Sequence, residues 1–342
     1  MSKVYSIAVL KGDGIGPEVT EAAVKVLEAV QKSSKNLTLH FLYGEAGYHC
    51  IAEHGTNLPE ETIALLKKTD ACLKGPMTTP EETGAPISAA VKIRTMFNLY
   101  ANVRPCRSFP NVEALKPNID LIVVRENTQG LYSGAEFELA PGTGIALRII
   151  TREASLRIAE YAFKLARNRK KHLTYAHKAN ILRVTDGIFN NAVKGVALKY
   201  PDVALDDVHV DAATMQLIKK PETFDVIVTT NLFGDILSDE AAQVTGSLGL
   251  AAGANIGETY GMFEPVHGSA PKYTRQNRVN PIATIMATSM MLDYLGEKAA
   301  AAKIEKAVII VLSEGKVRTA DLGGSSTTSE MSEAIAAKVK AL

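Results

Sequence analysis

Short apolar runs alternate along the chain with stripes of apolar residues at helical spacing. YSIAVL (5–10) ends at the glycine-rich KGDGIGP, after which Val19, Ala22, Ala23, Val26, Leu27 and Val30 recur on one helical face. Pro17 suits the first turn of that helix, where a missing N–H costs nothing. LTLHFLY, ACLKG, IDLIVVRE, KHLTYAH and FDVIVTT read as further strands, and YANVRP as a short one. Helical patterns such as SLRIAEYAFKLARNRK and EKAAAAKIEKAVIIVLSEG lie between or after them. This alternation predicts an α/β protein with a largely parallel sheet. PGTGIALRIIT (141–151) breaks the rhythm and reads as a Gly/Pro-flanked β segment that forms an arm. GDGIGPE invites comparison with the dinucleotide-binding Rossmann fingerprint. It has proline in place of the third glycine, and no acidic residue ends the next strand, so a tight strand-to-helix turn is the better reading.

Composition narrows the class. At 342 residues the chain is long enough for about two domains. An apolar fraction of 46% and a charged fraction of 22% are those of a globular protein. A net charge of +1 argues against a nucleic-acid or membrane partner drawn by bulk electrostatics. PIATIMATSMML is too short to span a bilayer, and no signal-peptide pattern opens the chain. Cys50, Cys72 and Cys106 show no CxxC or zinc spacing and suit a reducing cytoplasm.

Several positions carry candidate chemistry. Asp235 and Asp239 in NLFGDILSDEAAQ stand four apart behind FDVIVTT, on one helical face. They are either first-turn residues that meet unpaired helix N–H groups, or ligands of a hard cation such as Mg²⁺ or Mn²⁺. Arg94 lies in a helical pattern, Arg104 follows YANV and Arg125 ends LIVV. Three arginines at element ends suit a clamp for several carboxylates, since each guanidinium binds bidentately. Tyr132 follows a turn and Lys178 ends a strand; either is a half-buried or solvated residue, or a proton donor with a shifted pKa. Asp211 ends the strand-like VHV and offers a third carboxylate. FEPVHGSAPKYTRQNRVNP combines His267, Lys272, Arg275 and Arg278, as a solvated loop or a cradle for a phosphorylated ligand.

GDGIGPE, KGPMTTP, NLYANVRP, RENTQGLYSGAE, HKANILR, NLFGDILSD, GANIG and FEPVHGSAP occur in order over nearly the whole chain. Together they resemble the β-decarboxylating dehydrogenases, the family of isocitrate, homoisocitrate, isopropylmalate and tartrate dehydrogenases. The resemblance implies two α/β domains that share a mixed sheet, which is not a Rossmann fold. Residues 1–99 and 252–342 would form the large domain and 100–251 the small one, with a dimerisation arm near 133–150. It implies a homodimer in which Lys178 and Asp211 reach into the partner's site. Asp235 and Asp239, with Asp211 of the partner subunit, would hold Mg²⁺ or Mn²⁺. Lys178 matches the residue that handles the substrate's hydroxyl proton, Tyr132 the acid that protonates the enolate, and Arg94, Arg104 and Arg125 the carboxylate clamp.

KGPMTTP resembles the isocitrate enzymes, and Ser88 matches the serine that meets isocitrate's extra carboxylate. Ala90 stands where those enzymes carry asparagine, which keeps homoisocitrate and isopropylmalate as alternatives. The resemblance assigns cofactor contacts to Lys74, Thr78, Thr79, Glu264, His267, Gly268, Lys272, Tyr273 and Asn280. Lys272 and Tyr273 replace the aspartate usual in NAD enzymes and point to NADP. RTADLGG near the C-terminus is of the NAD type, so NAD is the alternative. Some relatives are regulatory subunits without activity, but Asp235, Asp239, Tyr132 and Lys178 are all retained, which ranks that reading low.

Overall fold

The computed structural model describes residues 3–80, 82 and 85–342. Its strands are β1 (Lys3–Leu10), β2 (Leu37–Gly44), β3 (Ala71–Lys74), β4 (Ala101–Arg107), β5 (Asp120–Glu126), β6 (Glu136–Ala140), β7 (Thr143–Ala146), β8 (His172–His177), β9 (Ala204–His209), β10 (Val226–Thr229), β11 (Ala252–Ile256) and β12 (Gly261–Pro265). A ten-stranded sheet runs in the order β2-β1-β3-β12-β11-β4-β5-β10-β8-β9. It contains two parallel blocks, β2-β1-β3-β12 and β5-β10-β8-β9. Antiparallel β11 and β4 join them, and the three antiparallel pairings leave the blocks running in opposite directions. The expected parallel sheet is therefore correct within each block, and the centre of the sheet is antiparallel.

Continuous apolar strands arise because both faces are covered. Ile7 and Val9 pack with the helices Gly16–Ser33, Ile282–Tyr294 and Thr328–Ala341, while Ala8 and Leu10 face a separate cluster that includes Leu66 and Ile93. β5 repeats the pattern: Ile122 and Val124 join the first cluster, Leu121 and Val123 a third that includes Leu237 and Ala241. That third cluster seats the helix Asn231–Thr245 against β4 and β5.

The arm is a hairpin of β6 and β7, with Phe137 50% and Leu139 63% exposed. Among the described residues, no helix is long and apolar enough to cross a membrane. The GDGIGP turn packs backbone against backbone: Asp13 N–H donates to the Pro76 carbonyl at 2.8 Å and Ile15 N–H to the Ser269 carbonyl at 2.9 Å. A Cβ on Gly12, whose φ is +71°, would lie 2.2 Å from the Pro76 oxygen, so only glycine fits. The turn joins three loops, as a strand-to-helix turn reading expects.

Candidate active site

Sheet register sets the first row of the site. Glu264 on β12 pairs with Gly253 on β11, and Lys74 at the end of β3 reaches Glu264 Oε2 at 2.8 Å. A Cβ on Gly253 would be 3.8 Å from Arg104 Cγ, which places Arg104 on the next strand in the same row. Arg94, from the helix Ala89–Met96, closes on Glu264 Oε1 at 2.7 Å. Burial opposes ionisation of Glu264. Lys74, then Arg94, and hydrogen bonds that include one from Asn255 outweigh it and hold the carboxyl well below the usual range.

The second group hangs on the helix Asn231–Thr245. This helix begins at Asn231, so Asp235 lies beyond its first turn and the first-turn reading of the two aspartates does not hold. Both carboxylates meet Arg104, Asp239 at 2.9 Å and Asp235 at 3.2 Å, which confirms their shared face. Arg104 does not follow a strand, as expected, but lies within β4, which runs on to Arg107. Arg125, at 1% exposure, donates to Asn231 Oδ1 at 2.9 Å and pairs with Asp235. Burial lowers its pKa to about 10, which leaves it cationic at neutral pH. Its guanidinium lies 4.8 Å from the centre of the Tyr132 ring, and the Tyr132 hydroxyl donates to Asp235. Burial first, then the bond to Asp235, raises the Tyr132 pKa, so the phenol keeps its proton. Burial acts against ionisation at Asp235 too, but Arg125 and Arg104 pull its carboxyl down. At Asp239 burial outweighs Arg104 and raises the value.

Lys74, Glu264, Arg94, Arg104 and Tyr132 border a cleft of about 410 Å³ whose walls also include Thr79, Ser88 and Ala90. Arg125, Asp235 and Asp239 are not on its walls and meet it through Arg104 and Tyr132. Ser88 does not cap the helix that it precedes. Lys178 and Asp211 are not on the walls of this cleft; they pair with each other at 2.6 Å. Asp211 is not at a strand end but in the first turn of the helix Val210–Lys219, just past β9. Among the described residues, Asp211, Asp235 and Asp239 of one chain do not converge on one point.

His267 and Gly268 also border a second cavity of about 670 Å³, with Tyr273, Arg278, Asn280 and Asp321. Lys272 is not on its walls; it is exposed, with its Nζ 4.8 Å from the centre of the Tyr273 ring, and Arg278 covers the same ring at 5.5 Å. Asp321 accepts from Asn280 at 2.9 Å and from the Thr319 hydroxyl at 2.5 Å. The sequence reading did not single it out, although it is the one carboxylate of RTADLGG. Thr78 is tied down, with its N–H on Asp13 and its hydroxyl 2.7 Å from that of Ser269. Asn255 and Ser238 were missed as well; each orients a charged side chain of the site from below.

A cleft walled by Arg94 and Arg104, which shares His267 and Gly268 with a larger cavity, has room for a small polar ligand beside a second, bulkier one. The chain belongs to the isocitrate/isopropylmalate dehydrogenase family, whose profile matches residues 6–335. It is 48% identical to the 3-isopropylmalate/3-methylmalate dehydrogenase of Methanocaldococcus jannaschii, over 98% of this chain and 99% of that one. It is 47% identical to the isocitrate/homoisocitrate dehydrogenase of Thermus thermophilus, over 99% of each. The crystal structure of isocitrate dehydrogenase from Methylococcus capsulatus superposes with a TM-score of 0.94 at 44% identity, covering 98% of this chain and 99% of that chain.

Proposed function

We propose that the protein oxidatively decarboxylates isocitrate, prefers NADP to NAD, requires Mg²⁺ or Mn²⁺ and works as a homodimer. The observation that carries the reading is a set of buried polar atoms with no partner in the chain: Arg94 Nε, Arg104 Nε and His267 Nε2. Such atoms are costly to leave unpaired, and a polycarboxylate ligand in the cleft supplies acceptors to the arginines. Ser88 adds a hydroxyl for a third carboxylate.

The donors beside Tyr132 suit a hard cation, because they are oxygens and Asp235 is kept ionised. Asp235 and Asp239 would hold it, together with Asp211 of the partner subunit. When bound, it supplies Lewis-acid polarisation of the substrate's hydroxyl and carboxylate oxygens. Arg94, Arg104 and Arg125 orient the substrate's carboxylates. Lys178 of the partner subunit takes the hydroxyl proton, and Tyr132, still protonated at neutral pH, delivers a proton to carbon after CO₂ leaves. The larger cavity would hold NADP, which would supply the hydride acceptor, with Lys272 and Arg278 as cations for its 2′-phosphate. Residues 1–99 with 252–342, and 100–251, act as the two domains, and the exposed β6–β7 arm pairs the subunits.

The test is kcat/KM for isocitrate, homoisocitrate and 3-isopropylmalate with each cofactor, with Mn²⁺ and then with EDTA. Isocitrate with NADP should be the best pair, and chelation should abolish turnover. Higher kcat/KM for 3-isopropylmalate or homoisocitrate would overturn the substrate assignment, and apolar Ile87, Ala90 and Val91 on the cleft wall would then be its cause. Full activity in EDTA would overturn the metal requirement.

A further inference from the structure

A second group of ligand-type side chains lies away from the cleft, where β2 runs into the short helix Cys50–His54. His49 Nε2 is 3.0 Å from Glu45 Oε2 and 3.4 Å from Cys50 Sγ, and the three donor atoms lie within 4.8 Å of one another. Among the described residues it is the one such convergence of three. We propose that Glu45, His49 and Cys50 bind a thiophilic divalent cation of the Zn²⁺ type.

The spacing fits. Tetrahedral Zn²⁺ with bonds of about 2.0–2.3 Å sets neighbouring ligand atoms roughly 3.3–3.6 Å apart. The nitrogen–oxygen and nitrogen–sulfur separations are within a few tenths of an ångström of that.

The ring is also aimed. His49 Nδ1 is 2.8 Å from Asp13 Oδ1, and Asp13 is 8% exposed. Asp13 is fixed in turn by the backbone N–H groups of Tyr48, His49 and Thr78. A carboxylate that accepts the Nδ1 proton leaves the Nε2 lone pair facing Glu45 and Cys50, the arrangement that orients metal-bound histidines. Burial opposes protonation of the ring, but the bonds to Asp13 and Glu45 raise its pKa, so a proton on Nε2 competes with a cation for this position.

The donor set selects the ion. One thiolate, one imidazole and one carboxylate favour Zn²⁺ or Co²⁺ over Mg²⁺ and Ca²⁺, which take oxygens. Entry is open, since Glu45 is exposed and the His49 side chain is 45% accessible. Solvent completes the fourth position. The cation displaces the Cys50 thiol proton to solvent, together with the Nε2 proton when the His49 ring is protonated, so binding releases at least one proton.

The test uses the full chain, stripped with EDTA and dialysed, and titrated with Co²⁺. A near-ultraviolet thiolate-to-Co²⁺ charge-transfer band should grow to one equivalent, and Zn²⁺ should abolish it. Cys50→Ser should remove the band. Glu45→Gln and His49→Gln, which spare the buried sulfur, should weaken Co²⁺ binding by about tenfold or more with an unchanged circular dichroism spectrum. Asp235→Asn should leave the band intact, which separates this site from the proposed catalytic one. No band at millimolar Co²⁺, a band that survives Cys50→Ser, or less than a twofold effect of both other variants would overturn the proposal. A proton on His49 would then be the only cation at this place.

Discussion

Glu264→Gln isolates the electrostatics at the floor of the cleft. The wild-type side chain is 8% accessible and lies between Lys74 at 4% and Arg94 at 12%. Glutamine keeps the shape, so no cavity opens, and its oxygen can still accept one bond. What disappears is the one carboxylate that, among the described residues, pairs with both buried Lys74 and largely buried Arg94. Removing one member of a buried ion pair leaves the other uncompensated and costs about 3–5 kcal/mol. Urea unfolding at fixed protein concentration, followed by circular dichroism, measures the loss as a lower midpoint at unchanged slope. The pH dependence has a definite sign. The Glu264 pKa is depressed by folding, so its contribution is fully present above the unfolded value of about 4.3 and is lost as pH falls towards the folded value. The gap between wild type and variant should therefore stay constant from pH 8 to 5 and narrow only below about pH 4. Combining Glu264→Gln with Lys74→Met should restore part of the loss, because one stranded charge is gone. A gap under about 1 kcal/mol at pH 7, or one that closes between pH 8 and 6, would refute the reasoning.

Other consequences can be checked at the same bench. Mixing inactive Tyr132→Phe and Lys178→Met proteins should restore activity after subunit exchange, since one hybrid site then holds both residues; no recovery, with exchange verified by mass spectrometry, would mean that each chain builds its own site. Gly234→Ala would put a Cβ 2.6 Å from Arg125 Cβ and Cγ, so it should cost about 1–3 kcal/mol and raise the substrate KM by displacing the guanidinium; a wild-type KM would show that Arg125 does not orient substrate. Lys272→Asp with Tyr273→Ile should invert a modest NADP preference that, in the wild type, falls as salt rises. A wild type that prefers NAD in kcat/KM would show that Asp321 on the cavity wall outweighs Lys272.

The sequence by itself determined six strands of the two parallel blocks, β1, β2, β3, β5, β8 and β10, because most of them are buried on both faces and so read as apolar runs. It also placed Asp235 and Asp239 on one face, because a four-residue spacing on a helix permits little else. The family, too, was legible, from motifs in fixed order. β11 and β12 were not, since AGANI and GMFEP carry Gly, Asn, Glu and Pro; their pairing is set by neighbours far along the chain. The burial of Glu264 between Lys74 and Arg94 was equally hidden. These residues lie 190 and 170 positions apart (74 to 264, and 94 to 264) and meet only when β3, β12 and the helix Ala89–Met96 are packed together. Asp321 looked like one acid in a turn until the fold set it against Asn280. Local periodicity reports which side of an element is buried; which charges face one another depends on register and on the order of strands, and only the tertiary structure decides those.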